Sequence, residues 1–178
     1  MSIATPALDT LRDTLADEFK DTRLNLGSVL AGENLDDAKA FGVALSAARF
    51  VRAEKLAAAL ESDIHAGLGD AAVGVISDAV AAAGVMAMNT VYYRFRHMLA
   101  KESYEARPPR LRMSRMAQPA TDTQTFELMS LACAALAGCE LCIRNHEAHL
   151  INAGASEDAC HDAVRIAAVI NAAAVGTA

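Results

Sequence analysis

Three of the chain's four prolines lie in one segment, residues 105–121 (EARPPRLRMSRMAQPAT), and the sequence on either side of it reads as helix. Proline carries no amide hydrogen and disrupts a helix interior, so this cluster marks the clearest break in the chain. The flanking stretches are rich in alanine, the strongest helix former and a small core residue. Strand signals are nearly absent, with no alternating Val, Ile, Thr and Tyr run. Hydrophobic residues make up 53% of the chain but aromatics only 4%, with no Trp, so any core must be built from closely packed helices. The expectation is an all-α protein, a single Ala-rich helical domain over residues 1–178. Helices so rich in alanine leave apolar faces that a chain of this length does not bury alone, which points to a homo-oligomer.

Local signals place the helices. Thr5 followed by Pro6 reads as an N-cap with proline at the first helical position, and Leu8, Leu11, Leu15 and Phe19 then line one face. A helical region is expected from about Asp36 to Glu61 and a second from about Asp70 to Lys101. Beyond the proline segment, helix resumes from about Asp122 to Ala137. Gly138 suits a helix end, a further helix covers 139–152, Gly154 ends it, and Ser156 caps the last. A weak internal repeat joins the two sides. Shifted by about 85 residues, Phe41 falls on Phe126 and Ala47 on Ala132; shifted by 84, DAVAAAGVM (78–86) falls on DAVRIAAVI (162–170). The chain thus divides into a scaffold half, 36–101, and a second half, 122–178. Gly42, Glu54, Ala57 and Glu61 in the first stand where Glu127, Cys139, Cys142 and His146 stand in the second.

Charge limits the partners. A net charge of −6 disfavours nucleic acid. Seven basic residues do gather between Arg94 and Arg115 (Arg94, Arg96, Lys101, Arg107, Arg110, Arg112 and Arg115), and they read as solvated helix ends or as an anion-docking surface. Asp9, Arg12 and Asp13 stand where a signal peptide needs its apolar region. The longest uncharged stretch, Ala79 to Tyr93, falls short of a membrane span. A cytoplasmic protein with no membrane association is expected. In that setting four cysteines suit metal binding or catalysis better than a disulfide framework.

The chemistry gathers in GCELCIRNHEAHL (138–150). Cys142 and His146 are four residues apart and share a helix face; Cys139 lies one turn before Cys142. Such a C-x-x-C pair can close a small disulfide ring, and a helix N-terminus stabilises thiolate. His146 is placed to take a proton from Cys142, the arrangement that thiol nucleophiles need. On spacing alone Cys139 is the favoured nucleophile, since the first cysteine of such pairs is usually the more exposed. Glu127 lies in an otherwise apolar segment. It either faces solvent at a helix start or turns inward to pair with His146. Competing readings are a zinc site made by Cys139, Cys142, His146 and His149, crowded onto one helix, and a purely structural dithiol in a helical interaction module. His149 reads as a surface or interface histidine, and Cys133 and Cys160 as small buried hydrophobes.

The sequence resembles the alkyl hydroperoxidase D proteins of the carboxymuconolactone decarboxylase-like superfamily. The resemblance covers KDTRLNLGSVL (20–30), MAMNTVYYRFRHML (86–99), RPPRLRM (107–113), FEL (126–128) and CELCIRNHEAHL (139–150). It implies an all-helical homotrimer that reduces organic hydroperoxides without metal or other cofactor. It assigns Cys142 as the peroxide-attacking thiol that becomes a sulfenic acid, Cys139 as the resolving thiol and proton donor, and His146 with Glu127 as the proton relay. It further implies re-reduction by a lipoylated acyltransferase component with dihydrolipoamide dehydrogenase, and cooperation with a peroxiredoxin. A lactone decarboxylase or isomerase of the same superfamily is the alternative activity. One position departs from the family pattern: Leu141 stands where a second histidine often precedes the attacking cysteine.

Overall fold

The computed structural model describes residues 3–178, and these are helical with no strand among them. The elements are α1 (Pro6–Arg12), α2 (Lys20–Leu26), α3 (Asp37–Phe50), α4 (Glu54–Gly67), α5 (Ala72–Leu99), α6 (Glu102–Glu105), α7 (Ser114–Ala117), α8 (Thr123–Leu136), α9 (Glu140–Asn152) and α10 (Glu157–Gly176), with short 3₁₀ turns at Asp17–Phe19, Val29–Ala31 and Gly69–Ala71. Helices α3 and α8 form the centre. Nearly every residue of α3 from Ala40 to Ala48 and of α8 from Thr125 to Ala134 is buried, and α4, α5, α9 and α10 pack around them. Phe41 and Phe126 sit in this core, each worth roughly 1.5–3 kcal/mol of burial. Gly42 of α3 leaves room for the Met129 side chain of α8: a Cβ there would overlap the Met129 Cε.

Several expected boundaries moved. The leucine stripe beginning at Leu8 is not one helix. α1 stops at Arg12, the Thr14 hydroxyl donates to the Leu11 carbonyl, and the backbone turns extended at Ala16. Thr5 precedes α1 but makes no side-chain cap; its hydroxyl donates to Asp9 instead. The first-turn amides of α1, which have no partner within the helix, are met by a residue distant in sequence: Ala7 and Leu8 donate to the buried Asp63 carboxylate of α4 at 3.0 and 2.9 Å. The expected helical region from Asp36 to Glu61 is broken at Arg52, which has φ +62°. There the Ala53 amide closes back on the Ala48 carbonyl at 2.9 Å. The α8–α9 junction repeats this turn with Gly138 at φ +61° and Cys139 N–H bonded to the Ala134 carbonyl at 3.1 Å. Glycine announces the second turn; arginine hides the first, because a left-handed residue with a Cβ is disfavoured and seldom marks a helix end. Asp122 and Ser156 cap α8 and α10 through Thr125 N–H and Ala159 N–H.

The proline segment is pinned by a residue that pattern reading passes over. Asp78, fully buried on α5, accepts the amides of Ala120 (3.0 Å) and Thr121 (2.7 Å), the Thr121 hydroxyl (2.7 Å) and Arg115 Nε (2.8 Å). Burial alone would raise its pKa, but these donors overcome that and hold the carboxyl below its ordinary value. The same bond accounts for one member of the basic cluster. Arg94 donates to the Ala137 carbonyl at the end of α8 at 2.6 Å, Arg96 to the Glu105 carbonyl, and Arg107 to the Ser103 carbonyl. Much of that charge therefore ties the loop and helix ends together.

Removing the Asp78 carboxylate strands several donors at once. Asp78→Ala should destabilise the fold by about 2–3 kcal/mol, which for a chain of this size lowers Tm by roughly 4–12 °C. The wild-type advantage has a defined pH dependence. A depressed folded pKa stabilises above the ordinary Asp value, about 3.9, and that contribution is lost as pH falls through the folded value. Denaturation series for both proteins at falling pH should show a constant gap near neutrality that closes in acid. A gap that stays constant in acid would remove the carboxylate's role.

Candidate active site

Helix α8 presents Glu127 one turn after its Asp122 cap, and α9 begins at Cys139, whose carbonyl accepts the Ile143 amide at 2.9 Å. The tight Gly138 turn joins the end of α8 to the start of α9, the two helices pack together, and Glu127 of α8 meets His146 of α9. Cys139 and Cys142 form a disulfide, with Cα atoms 5.3 Å apart. Glu127 turns inward. Its Oε2 lies 2.5 Å from His146 Nδ1, and both side chains are buried. An ionised carboxylate only accepts, so this pairing places the hydrogen on Nδ1 and leaves Nε2 free to take or give a proton. The structure thus brings Glu127, His146, Cys142 and Cys139 into one place.

The site opens on a cavity of about 190 Å³. Helix α9 supplies Leu141, Cys142, Asn145, His146 and His149 to its wall. Asn89 and Tyr93 of α5 and Met113 and Met116 of the proline segment complete it. The exposure of the two thiols is the reverse of the expectation from spacing. Cys139 is 0% exposed and does not reach the cavity, whereas Cys142 is 6% exposed and lines it. The reason is the tight turn, which folds Cys139 under the end of α8 against Cys133 and Met86. Leu141, where the family pattern often has histidine, adds an apolar wall. His149 is exposed as a surface histidine would be, yet it lines the cavity, and its Nδ1 stands 4.0 Å from Glu127 Oε1, too far for a hydrogen bond. Among the described residues no three His, Cys, Asp or Glu side chains converge as metal ligands.

Sequence reasoning missed Asn89, Tyr93, Met113 and Met116. Asn89 had one signal: a single amide side chain in the apolar run of α5. Asn89 is 5% exposed; its Nδ2 faces the Met116 sulfur at 3.7 Å, and its Oδ1 has no partner.

The other two cysteines differ chemically from the pair. Cys133 is fully buried, and its pKa is pushed up to about 12 by burial, a weak bond to the Ser46 carbonyl notwithstanding. Cys160 is also raised, first by burial and then by the nearby charges of Glu147 and Glu157. Thiolate is the reactive form, so mild oxidation followed by mass spectrometry should find Cys139 linked to Cys142, with Cys133 and Cys160 reduced. A dominant link to either of those would break the two-cysteine centre.

Comparison with known proteins places this helical dithiol fold in a class. Residues 103–178, which contain α8, α9 and α10, match the carboxymuconolactone decarboxylase family. Relatives similar over nearly the whole chain narrow this. The alkyl hydroperoxide reductase AhpD of Anaeromyxobacter dehalogenans is 50% identical over 169 residues, 95% of this chain and 89% of its own length. Proteins of the same name from Rhodopseudomonas palustris (40% over 168 residues, 94% and 91% covered) and Maricaulis maris (41% over 166 residues, 93% and 94% covered) are also similar. The chain belongs to the alkyl hydroperoxide reductase AhpD family.

Proposed function

We propose that the protein is a thiol peroxidase that reduces alkyl hydroperoxides through Cys139 and Cys142. One observation carries the reading: the disulfide partner that lines the cavity, Cys142, is four residues from a histidine whose other nitrogen is held by Glu127. In the reduced enzyme the Cys142 thiolate attacks the terminal peroxide oxygen. An S–O bond forms, the O–O bond breaks, and the alkoxide leaves with a proton from His146, giving alcohol and a Cys142 sulfenic acid. Cys139 then attacks that sulfur, hydroxide departs as water with the Cys139 proton, and the disulfide results. A dihydrolipoyl group of an acyltransferase component, itself recharged by dihydrolipoamide dehydrogenase, is the proposed source of the two electrons, with a peroxiredoxin as a cooperating partner. The lactone decarboxylase alternative has no use for a redox pair of which one thiol, Cys142, lines the cavity.

The direct test is consumption of cumene hydroperoxide with dihydrolipoamide as the only electron donor, together with free-thiol counts before and after peroxide. Catalytic turnover with loss of two thiols per chain is the expected result. No peroxide consumption and no thiol loss would overturn the reading.

The same proposal includes a cytoplasmic homotrimer built from two related helical halves, 36–101 and 122–178. The matching left-handed turns at Arg52 and Gly138 support the halves. Exposed apolar side chains along α5, Val80, Val91, Phe95 and Met98, support an oligomer. Helices α5 and α10 have the length and apolar content to cross a bilayer, but Ala79, Ala82 and Met86, and Ile166 and Ile170, face the protein core instead. Light scattering at micromolar concentration should return three copies per particle; a monomer would exclude the trimer.

A further inference from the structure

The part of the cavity wall that α5 supplies holds a buried polar group without a hydrogen-bond partner. Asn89 lies in α5, a helix that otherwise gives the cavity Tyr93, and is nearly fully buried. Its Oδ1 has no hydrogen-bond partner, and its Nδ2 has only the Met116 thioether, a weak acceptor. Buried amide oxygens are almost always paired, and one left open in a cavity beside a nucleophile calls for a ligand. Met113, Met116, Tyr93 and Leu141 give the cavity thioether, aromatic and aliphatic surface, and Asn145, His146 and His149 of α9 add polar groups to its lining.

Building on the peroxidase reading, we infer that Asn89 is a substrate-binding residue whose Oδ1 accepts the hydrogen of the hydroperoxide O–H. An alkyl hydroperoxide has one donor, on the oxygen that Cys142 attacks, and an apolar remainder. A buried, unpartnered acceptor beside thioether, aromatic and aliphatic surface matches that molecule. The bond would hold the terminal oxygen toward Cys142 Sγ, with the O–O axis set for displacement and the leaving oxygen within reach of His146. When the S–O bond forms, the hydrogen stays on the transferred oxygen as the sulfenic acid O–H, so Asn89 gains and loses no proton. Asn89 therefore selects for peroxides with a free O–H and contributes nothing to the nucleophilicity of the thiol.

The test uses the full-length chain with Cys139→Ser, so that oxidised Cys142 persists as a sulfenic acid. Two rates are compared with and without Asn89→Leu: Cys142 oxidation by cumene hydroperoxide, and Cys142 modification by methyl methanethiosulfonate, a small thiol reagent with no hydrogen-bond donor. Loss of one neutral hydrogen bond should slow the first by about tenfold and leave the second within about twofold. If both rates hold, or both fall together, Asn89 is not a peroxide acceptor. If the parent protein is itself not oxidised by the hydroperoxide, the peroxidase reading fails and takes this inference with it. A measurement that does not depend on folding of the Asn89 variant uses Cys142→Ser protein, in which the hydroperoxide persists. Titration with tert-butyl hydroperoxide should shift the Asn89 side-chain amide resonances, while tert-butyl methyl ether, which lacks the O–H, should not. Equal responses to the two, or none, would overturn the inference.

Discussion

Cys142→Ser is expected to abolish hydroperoxide reduction and to form no sulfenic acid at all, while Cys139→Ser retains a single oxidation event. The loss in the first case should be on the order of 10³-fold or more, since deleting a covalent nucleophile elsewhere costs more than that. The difference follows from position. Cys142 lines the cavity and is one turn before His146, whereas Cys139 is completely buried beneath the end of α8. A peroxide that enters meets only the first. With Cys139 replaced, the other cysteine in the buried cluster around Cys142 is Cys133, and burial pushes its pKa up to about 12, which leaves almost no thiolate at neutral pH. One equivalent of cumene hydroperoxide should therefore leave a dimedone-reactive sulfur at Cys142 in Cys139→Ser. Label on Cys139 in the Cys142→Ser protein, with none on Cys142 in Cys139→Ser, would reverse the roles.

That reversal was the reading favoured by spacing alone, and its failure on exposure shows what a sequence can and cannot carry here. Helix content was legible because alanine and the clustered prolines act locally. So were the restart of helix near Asp122, the cap at Ser156 and the turns at Gly138 and Gly154, each set by local sequence. The C-x-x-C and the histidine four residues on were legible because helical geometry alone puts them together. The illegible features are those made by residues distant in sequence. Nothing near Asp78 signals that it gathers the amides of Ala120 and Thr121 across more than forty residues. Nothing near Asp63 signals that it caps α1. Arg52 breaks a helix in a conformation for which arginine gives no warning. The relative exposure of two cysteines one turn apart depends on how the α8–α9 turn packs against Met86, which is again tertiary. Glu127 stood between: its position in an apolar segment left solvent and interior both open, and only the fold turns it inward to His146.

The buried Glu127–His146 pair should control the rate of the first chemical step. His146→Gln should slow Cys142 sulfenate formation by roughly 10²–10⁴, the usual worth of a positioned proton-transfer group. Glu127→Gln should slow it by about tenfold or more, for a reason separable from charge. The carboxylate can only accept, so it fixes the hydrogen on Nδ1 and frees Nε2. An amide presents both an acceptor and a donor; where it donates to Nδ1, the ring carries its hydrogen on Nε2 and can no longer take the thiol proton there. The two substitutions act on one device, so their effects should not multiply. The Glu127→Gln, His146→Gln double variant should be no slower than His146→Gln alone, a coupling that independent sites do not show. Single-turnover oxidation measured by dimedone trapping reads the step directly, and thermal melts on each variant report whether the removed partner has loosened the fold. Multiplicative losses would separate the two residues and dissolve the relay. An unchanged rate in His146→Gln would mean that the thiol finds its base elsewhere, and the exposed His149, 4.0 Å from the other Glu127 oxygen, would be the residue to replace next.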